Sequence, residues 1–247
     1  MIEHVEYMAQ RILNLIYPEG ITCDGCGTEL TQEKVSRYNL CDRCLDDVVW
    51  VKGPTCKSCG GPVPLVSETN ICYNCMKRES YLSETQACFL YEGTGKKLIM
   101  DLKYNRKTFL GEPLGQMMYD VASASFAEAI DLILSVPLHK SRLSERGFNQ
   151  MDLMGNPLSE KMGVPYSNTV LIRKVNTPKL KNLNRNERKN VMREAFLVEK
   201  ESVLGKRILL IDDIFTTGST MNACAKVLLE AGALNVYGLA LSVNFRD

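Results

Sequence analysis

The sequence predicts an α/β protein in which helices flank a mostly parallel sheet and a small metal-binding module precedes the sheet. Three observations support this prediction. Apolar strands alternate with amphipathic segments in the second two thirds of the chain, one strand ends in two aspartates and a Thr/Gly/Ser loop, and four Cys-x-x-Cys pairs lie nearer the start. Strands that alternate with helices form parallel sheets, because each helical crossover returns the chain to the same edge.

The alternation begins after the last cysteine pair and gives six predicted strands. They cover residues 87–91, 132–137, 169–175, 195–198, 208–212 and 236–242. The last two flank a predicted helix at 219–232, and together they complete one β-α-β unit. We expect an amphipathic helix at 1–20, the cysteine-rich module at 21–80 and the α/β domain at 81–247.

The segment 207–220, R-I-L-L-I-D-D-I-F-T-T-G-S-T, predicts a ligand site. Its continuous apolar run is typical of a strand buried on both faces, so Asp212 and Asp213 would lie at the carboxyl end, where open α/β sheets bind ligands. The next residues offer backbone N–H groups, hydroxyls and a glycine to an anion at a helix N-terminus; they are Thr216, Thr217, Gly218, Ser219 and Thr220. A carboxylate pair beside such a loop predicts a sugar-phosphate site. The alternative is an ordinary pair of strand-end carboxylates before a well-capped helix.

Length and composition restrict the class of protein. The chain has 247 residues, a formal net charge of +1 and 45% hydrophobic residues, which leaves room for one ordinary domain and a smaller one. It contains no run of about 18 apolar residues, and its first residues have the mixed charge that signal peptides lack. We therefore expect a cytoplasmic protein without a transmembrane segment.

Eight of the ten cysteines form the four pairs, which repeat as two similar halves. Without an export signal, reduced thiolates on a metal are favoured over disulfides, and two Cys-x-x-Cys turns complete a closed, structural zinc site. We expect sequential pairing, with Cys23, Cys26, Cys41 and Cys44 on one zinc ion and Cys56, Cys59, Cys72 and Cys75 on another. Interleaved pairing, a single occupied site, redox-active thiols and an iron–sulfur cluster are the alternatives. The remaining two, Cys88 and Cys224, lie in apolar stretches and are expected to be buried.

Two combinations of motifs resemble known families. The segment 207–220 resembles the binding motif of type I phosphoribosyltransferases, which use 5-phosphoribosyl-1-pyrophosphate (PRPP). Val-Pro-Leu-His at 136–139 and Arg-Gly-Phe-Asn-Gln at 146–150 resemble the ComF/GntX-like competence family, as do the Tyr-Pro before the first cysteine pair and Asp-Leu-Lys-Tyr at 101–104. The resemblance covers nearly the whole chain. It implies a double zinc ribbon at 21–80 and a type I phosphoribosyltransferase fold at 81–247.

The resemblance also implies roles for the site residues. Asp212 and Asp213 would hold the ribose hydroxyls, residues 216–220 would hold the 5-phosphate, and Mg²⁺ would bind together with PRPP. Both aspartates and Arg146 would be catalytic, because the leaving pyrophosphate gains negative charge while the sugar gains positive character.

Basic residues at three further places complete the predicted site. Lys140 and Arg142 share a loop with Arg146, and that loop leaves the same sheet edge as the aspartates, so all three can converge on pyrophosphate. The alternative is that they are solvated surface cations. Lys103, on an amphipathic helix, is a further predicted phosphate contact. Residues 173–193 hold eight Lys or Arg against one Glu, which predicts either a lid over a polyanion or a solvated loop.

Two functions therefore stay open at the level of sequence. The first is a PRPP-dependent phosphoribosyltransferase in DNA uptake or nucleotide metabolism. The second is a non-catalytic single-stranded-DNA-binding or adaptor protein that reuses the PRPP fold and works with a DNA translocase. Residues 21–80 hold seven Lys or Arg against eight Asp or Glu, which disfavours a purely DNA-binding ribbon. The sequence names neither the acceptor nor an oligomeric state.

Overall fold

The computed structural model describes residues 22–30, 36–64, 69–126, 130–138, 144, 147–174 and 195–245. The predicted helix at 1–20 lies outside these residues. So do Lys140, Arg142, Arg146 and residues 175–193 of the basic segment. Among the described residues, no helix has the length and apolar character that a bilayer crossing requires.

A five-stranded parallel sheet forms the centre of the described chain, with the order β1-β7-β6-β2-β3. The five strands are β1 (Thr85–Leu90), β2 (Leu132–Ser135), β3 (Tyr166–Ser167), β6 (Arg207–Phe215) and β7 (Asn235–Val243). Residues 208–211 of β6 are fully buried, as the continuous apolar run predicts for a central parallel strand. The parallel sheet predicted from the sequence is therefore confirmed.

Two of the six predicted strands pair with each other instead of joining the sheet. They form a separate antiparallel pair, β4 (Leu171–Arg173) and β5 (Phe196–Val198). Leu171 and Phe196 are buried, whereas Ile172 and Leu197 are exposed. One apolar and one exposed face is the pattern of an antiparallel pair that covers a core. The two-residue strand β3 was not predicted, because Tyr-Ser offers no apolar run.

Helices cover both faces of the sheet. On one face, α3 (Gly93–Tyr104), α4 (Gly111–Phe126) and α5 (Gln150–Met162) pack against alternate residues of β2, β6 and β7. On the other face, α7 (Ser219–Glu230) and the β4–β5 pair pack against the intervening residues. The other helices among the described residues are short: α1 (Asp42–Asp46), α2 (Tyr73–Met76), a 3₁₀ turn (Thr108–Leu110) and α6 (Lys200–Val203).

The cysteine-rich module packs directly against the free edge of β1. Val51 N–H donates to the Cys88 carbonyl at 3.0 Å, Leu90 N–H to Val49 at 2.8 Å, and Thr85 N–H to Lys57 at 2.7 Å. These bonds satisfy backbone groups that an edge strand otherwise exposes. Cys88 on this strand is buried, as is Cys224 on α7, so both isolated cysteines are core thiols as expected.

Candidate functional site

The neighbouring strands β2 and β6 define a crevice at the carboxyl edge of the sheet. After β2 the chain enters α5 on one face, and after β6 it enters α7 on the other. Ligands of open α/β sheets bind where two adjacent strands send their connections to opposite faces. Pairing with β2 ends at Ser135, opposite Ile211. Asp212 and Asp213 follow immediately, so the topology places the acidic pair at this crevice.

β6 itself continues beyond the predicted end at Asp212. It stays paired with β7 through Ile214, opposite Ser242, and Phe215, opposite Val243. The aspartates therefore lie within a strand that is paired on one side and open on the other. This arrangement fixes their backbone more firmly than a loop would.

Asp213 is buried and has partners on both carboxylate oxygens. Lys103 Nζ lies 2.7 Å from Oδ1, and Gln150 Nε2 donates to Oδ2 at 2.7 Å. The Lys103 side chain is only 11% exposed, so the ion pair is poorly screened by water. The structure thus places Lys103 at the predicted site, but against a carboxylate. Its predicted contact with phosphate stays a prediction.

Sequence reasoning did not single out Gln150. It is the first residue of α5 and is 2% exposed. Asn149 caps the helix by accepting the Met151 N–H at 3.1 Å, which turns the chain so that Gln150 faces β6. A polar side chain in the first turn of a helix is usually solvated, so only the fold reveals this contact.

The Asp212 carboxyl group has a strongly shifted pKa. Burial, together with the neighbouring Asp213 charge, raises the pKa of its carboxyl group to about 8. The Asp213 N–H, which donates to Asp212 Oδ1 at 2.9 Å, and the Lys103 charge oppose this shift of the pKa. Near neutral pH the raised pKa therefore favours a protonated Asp212 carboxyl group, which is able to donate a hydrogen bond.

We expect an Asp212→Asn variant to differ from the parent protein in the pH dependence of stability. The folded-state pKa lies above the unfolded value of about 3.9, so the contribution of Asp212 is complete below pH about 4 and is lost as the pH rises through 8. Asparagine cannot ionise. Denaturant unfolding at pH 6, 7 and 8 should show the parent losing up to about 1.4 kcal/mol per pH unit relative to the variant. A constant difference across this range would contradict the shifted pKa.

The loop between β6 and α7 has the features of an anion site. Gly218 adopts φ +70° and ψ 0° directly before the helix, and the Asn222 N–H donates to its carbonyl at 2.8 Å. The exposed Thr217 and Ser219 hydroxyls are 2.9 Å apart. Hydroxyls and backbone N–H groups at the positive end of a twelve-residue helix suit a phosphate.

Gly218→Ala should damage this loop for two separable reasons. A side chain at positive φ costs about 1–2 kcal/mol, and a Cβ at Gly218 would also collide with the Phe215 ring. Gly163→Ala is a matched control, because Gly163 has φ +65° and nothing within 4 Å of its added Cβ. Thermal unfolding should show the larger loss of stability for Gly218→Ala. Equal losses would mean that the Phe215 contact is unimportant.

The cysteines form two separate groups of four. One contains Cys23, Cys26, Cys41 and Cys44, and the other contains Cys56, Cys59, Cys72 and Cys75. Within each group the sulfurs lie within 4.8 Å of one another. Sequential pairing is therefore confirmed. We call these groups the first and the second cysteine cluster.

The geometry of both clusters fits tetrahedral zinc. Cys26 Sγ and Cys41 Sγ are 3.8 Å apart, and so are Cys59 Sγ and Cys72 Sγ. A tetrahedron with zinc–sulfur bonds of about 2.3 Å has edges of about 3.8 Å. Backbone N–H groups donate to one sulfur in each cluster, from Cys41 to Cys23 at 3.2 Å and from Cys72 to Cys56 at 3.3 Å. With four thiolates each, both sites are closed and structural.

Known protein families match both the N-terminal and the C-terminal part of the chain. The family described as "Double zinc ribbon domain" matches residues 12–76, and the family described as "Phosphoribosyl transferase domain" matches residues 123–244. The chain thus contains a phosphoribosyltransferase domain that follows an N-terminal double zinc ribbon domain.

Three curated relatives specify the family. "Competence protein F" of Haemophilus influenzae is 28% identical over 83% of this chain and 92% of its own length. "DNA utilization protein YhgH" of Escherichia coli (strain K12) is 30% identical over 73% of this chain and 80% of its own. "Competence protein ComFC" of Bacillus subtilis is 26% identical over 86% of this chain and 90% of its own length. The chain belongs to the family of competence protein F, ComFC and YhgH.

Proposed function

We propose that this protein binds PRPP with Mg²⁺ in the crevice between β2 and β6 and acts as a phosphoribosyltransferase in DNA uptake or nucleotide metabolism. The observation that carries the proposal is the position of Asp212 and Asp213 at the topological switch point, separated by two residues from the loop at 216–220. A carboxyl pair suits the vicinal ribose hydroxyls, and the loop suits the 5-phosphate.

The reaction would break the bond between ribose C1 and the pyrophosphate oxygen, and the bonding electrons would leave with pyrophosphate. The acceptor atom would then bond to C1. Asp212 and Asp213 would orient the sugar, and an ionised carboxylate of the pair would favour its positive character. Bound Mg²⁺ would supply positive charge to the departing pyrophosphate. From the sequence, we assign the pyrophosphate end to Lys140, Arg142 and Arg146.

Lys103 would change partners when the ligand binds. In the described structure it neutralises Asp213, so a ligand that brings a cation to the carboxylate would compete with the ammonium group. Release of Lys103 would allow it to turn toward phosphate, which reconciles its position with the predicted phosphate contact. The proposed location is the cytoplasm, because zinc-binding thiolates such as those of the two cysteine clusters persist in a reducing compartment.

Titration with PRPP and Mg²⁺ tests the proposal, with pyrophosphate release measured for a panel of acceptors. Asp212→Asn and Asp213→Asn should each abolish binding, whereas Asp46→Asn, an exposed carboxylate on α1, should leave it unchanged. Absence of PRPP binding in the parent protein at millimolar concentration would reject the proposal.

The names of the relatives favour a second candidate function. Several are named for competence or for DNA utilization, which fits a single-stranded-DNA-binding or adaptor protein that works with a DNA translocase. The same variants separate the two readings. DNA binding that survives Asp212→Asn and Asp213→Asn, together with no PRPP binding, would favour the adaptor.

A further inference from the structure

The segment that follows the last cysteine is attached to the loop at 216–220. Arg78 lies three residues after Cys75, and its own N–H donates to the Cys75 carbonyl at 3.0 Å. Arg78 Nη1 then reaches across to donate to the Thr217 carbonyl at 2.9 Å. One side chain thus joins the second cysteine cluster to the centre of the loop that presents N–H groups and hydroxyls.

A second attachment lies on the first turn of α7. The Asn222 side chain accepts the Tyr81 N–H at 2.6 Å and donates to the Glu79 carbonyl at 3.0 Å. One turn further along, Lys226 Nζ lies 5.1 Å from the centre of the Tyr81 ring. Residues 78–81 are therefore held to both the loop and the helix that follows it.

A cavity of about 300 Å³ lies between the second cysteine cluster and the loop at 216–220. Its walls include Cys59 and Cys75 on one side and Phe215, Thr216 and Thr217 on the other. Beside this cavity, residues 78–81 supply hydrogen bonds that join the end of the cysteine-rich module to the loop and to α7. The position of this segment depends in turn on the turn at Cys72–Cys75 that a zinc ion would hold.

The first cysteine cluster contacts a different part of the fold. Lys97 on α3 donates to the Gly25 carbonyl at 2.6 Å, and Thr94 N–H donates to Asp47 Oδ2 at 2.8 Å. These contacts support the helix that carries Lys103, on the opposite face of the sheet. The two clusters are alike in ligands and geometry, so each is a control for the other.

We propose that the second cysteine cluster, when it holds zinc, positions the phosphate loop through Arg78 and Asn222. Phosphate affinity then depends on the second zinc ion and is independent of the first. The inference rests on the proposed function in one respect, namely that the loop at 216–220 binds the ligand phosphate. Arg78 is a positioning residue here, because it acts on the ligand through the Thr217 carbonyl.

Hydrogen exchange of the loop tests the attachment without any ligand. In zinc-loaded protein, Arg78→Met keeps the length of the side chain and removes its donors, so amides of the peptide 215–222 should exchange about tenfold faster. Arg78→Lys restores a donor and should recover most of the protection. Lys77→Met is the matched control, because Lys77 contacts Tyr73 within its own unit. Parent-like exchange in Arg78→Met, with two zinc ions still bound, would overturn the inference.

Binding of ribose 5-phosphate tests whether Arg78 raises the affinity of the loop for phosphate. Calorimetry should show an affinity about tenfold lower for Arg78→Met, and an affinity within about threefold of the parent for Arg78→Lys. If the parent protein fails to bind ribose 5-phosphate, the proposed function fails, and hydrogen exchange still decides whether Arg78 holds the loop.

Cys41→Ser and Cys72→Ser compare the two clusters directly, because these cysteines occupy equivalent positions before α1 and α2. Cys72→Ser should speed exchange at 215–222 well beyond any increase that Cys41→Ser causes through its general loss of stability. Equal exchange in the two variants would overturn the dependence on the second cluster. Arg78→Met remains decisive if Cys72→Ser fails to fold.

Discussion

Removal of zinc is expected to unfold the described cysteine-rich residues and to destabilise the whole protein. Structural zinc contributes on the order of 10 kcal/mol per ion to the folding of small modules, and this module has few other buried groups. All of its paired cysteines except the exposed Cys26 belong to, or pack against, the two hydrophobic clusters that also contain the sheet residues. Loss of the module would also expose the edge of β1, so we expect aggregation to accompany unfolding.

Chelation followed by circular dichroism, thermal unfolding and metal analysis checks this prediction. Two zinc ions per chain should be released, and added zinc should restore the parent unfolding temperature. Cys44→Ser should lose one ion and a large part of the stability, whereas Asp42→Ala, an exposed residue of the same short helix, should behave as the parent does. A metal-free protein with an unchanged unfolding temperature would refute the zinc assignment.

Asp213→Ala is expected to have the second largest effect, on stability and on ligand binding together. The substitution leaves the Lys103 ammonium group and the Gln150 amide without their shared acceptor in a largely buried site. Breaking a buried ion pair by removing one partner costs about 3–5 kcal/mol. We therefore expect a loss of about 3 kcal/mol in the free energy of unfolding and no detectable binding of PRPP.

A double-mutant cycle separates the ion pair from general damage. Lys103→Met in the Asp213→Ala background removes the unpaired ammonium group, so the double variant should be more stable than Asp213→Ala alone. Denaturant unfolding measures each corner of the cycle. If the two effects on stability simply add, Lys103 and Asp213 are not coupled, and the ion pair has no energetic importance.

The contrast between Lys103 and Gln150 shows how far a sequence predicts a site. Lys103 was predicted as a phosphate contact from a motif, and the structure places it at the same site with a carboxylate as its partner. Gln150 belongs to another quoted motif but had no predicted role, because its contact with Asp213 joins residues 63 positions apart. Neither periodicity nor spacing carries information about such a contact.

The predicted strands show the same limit. Residues 208–212 were predicted as a central strand because four branched apolar residues in succession leave no polar face. Residues 171–173 and 196–198 were also predicted as strands, and they are, but only their pairing shows that they lie outside the main sheet. A short apolar segment is compatible with a strand of the parallel sheet and with a strand of a separate antiparallel pair, so local sequence does not distinguish the two arrangements.

The sequence by itself determined the parts of this protein whose chemistry is local. The Cys-x-x-Cys turns, the buried strand with its acidic end and the glycine loop before α7 are each specified by residues within a few positions of one another. The tertiary structure decided which distant groups meet: Lys103 and Gln150 at Asp213, a raised pKa at Asp212, and Arg78 at the phosphate loop. The physical reason is that ion pairing, desolvation and long-range hydrogen bonds depend on how strands and helices pack, which local residue patterns do not encode.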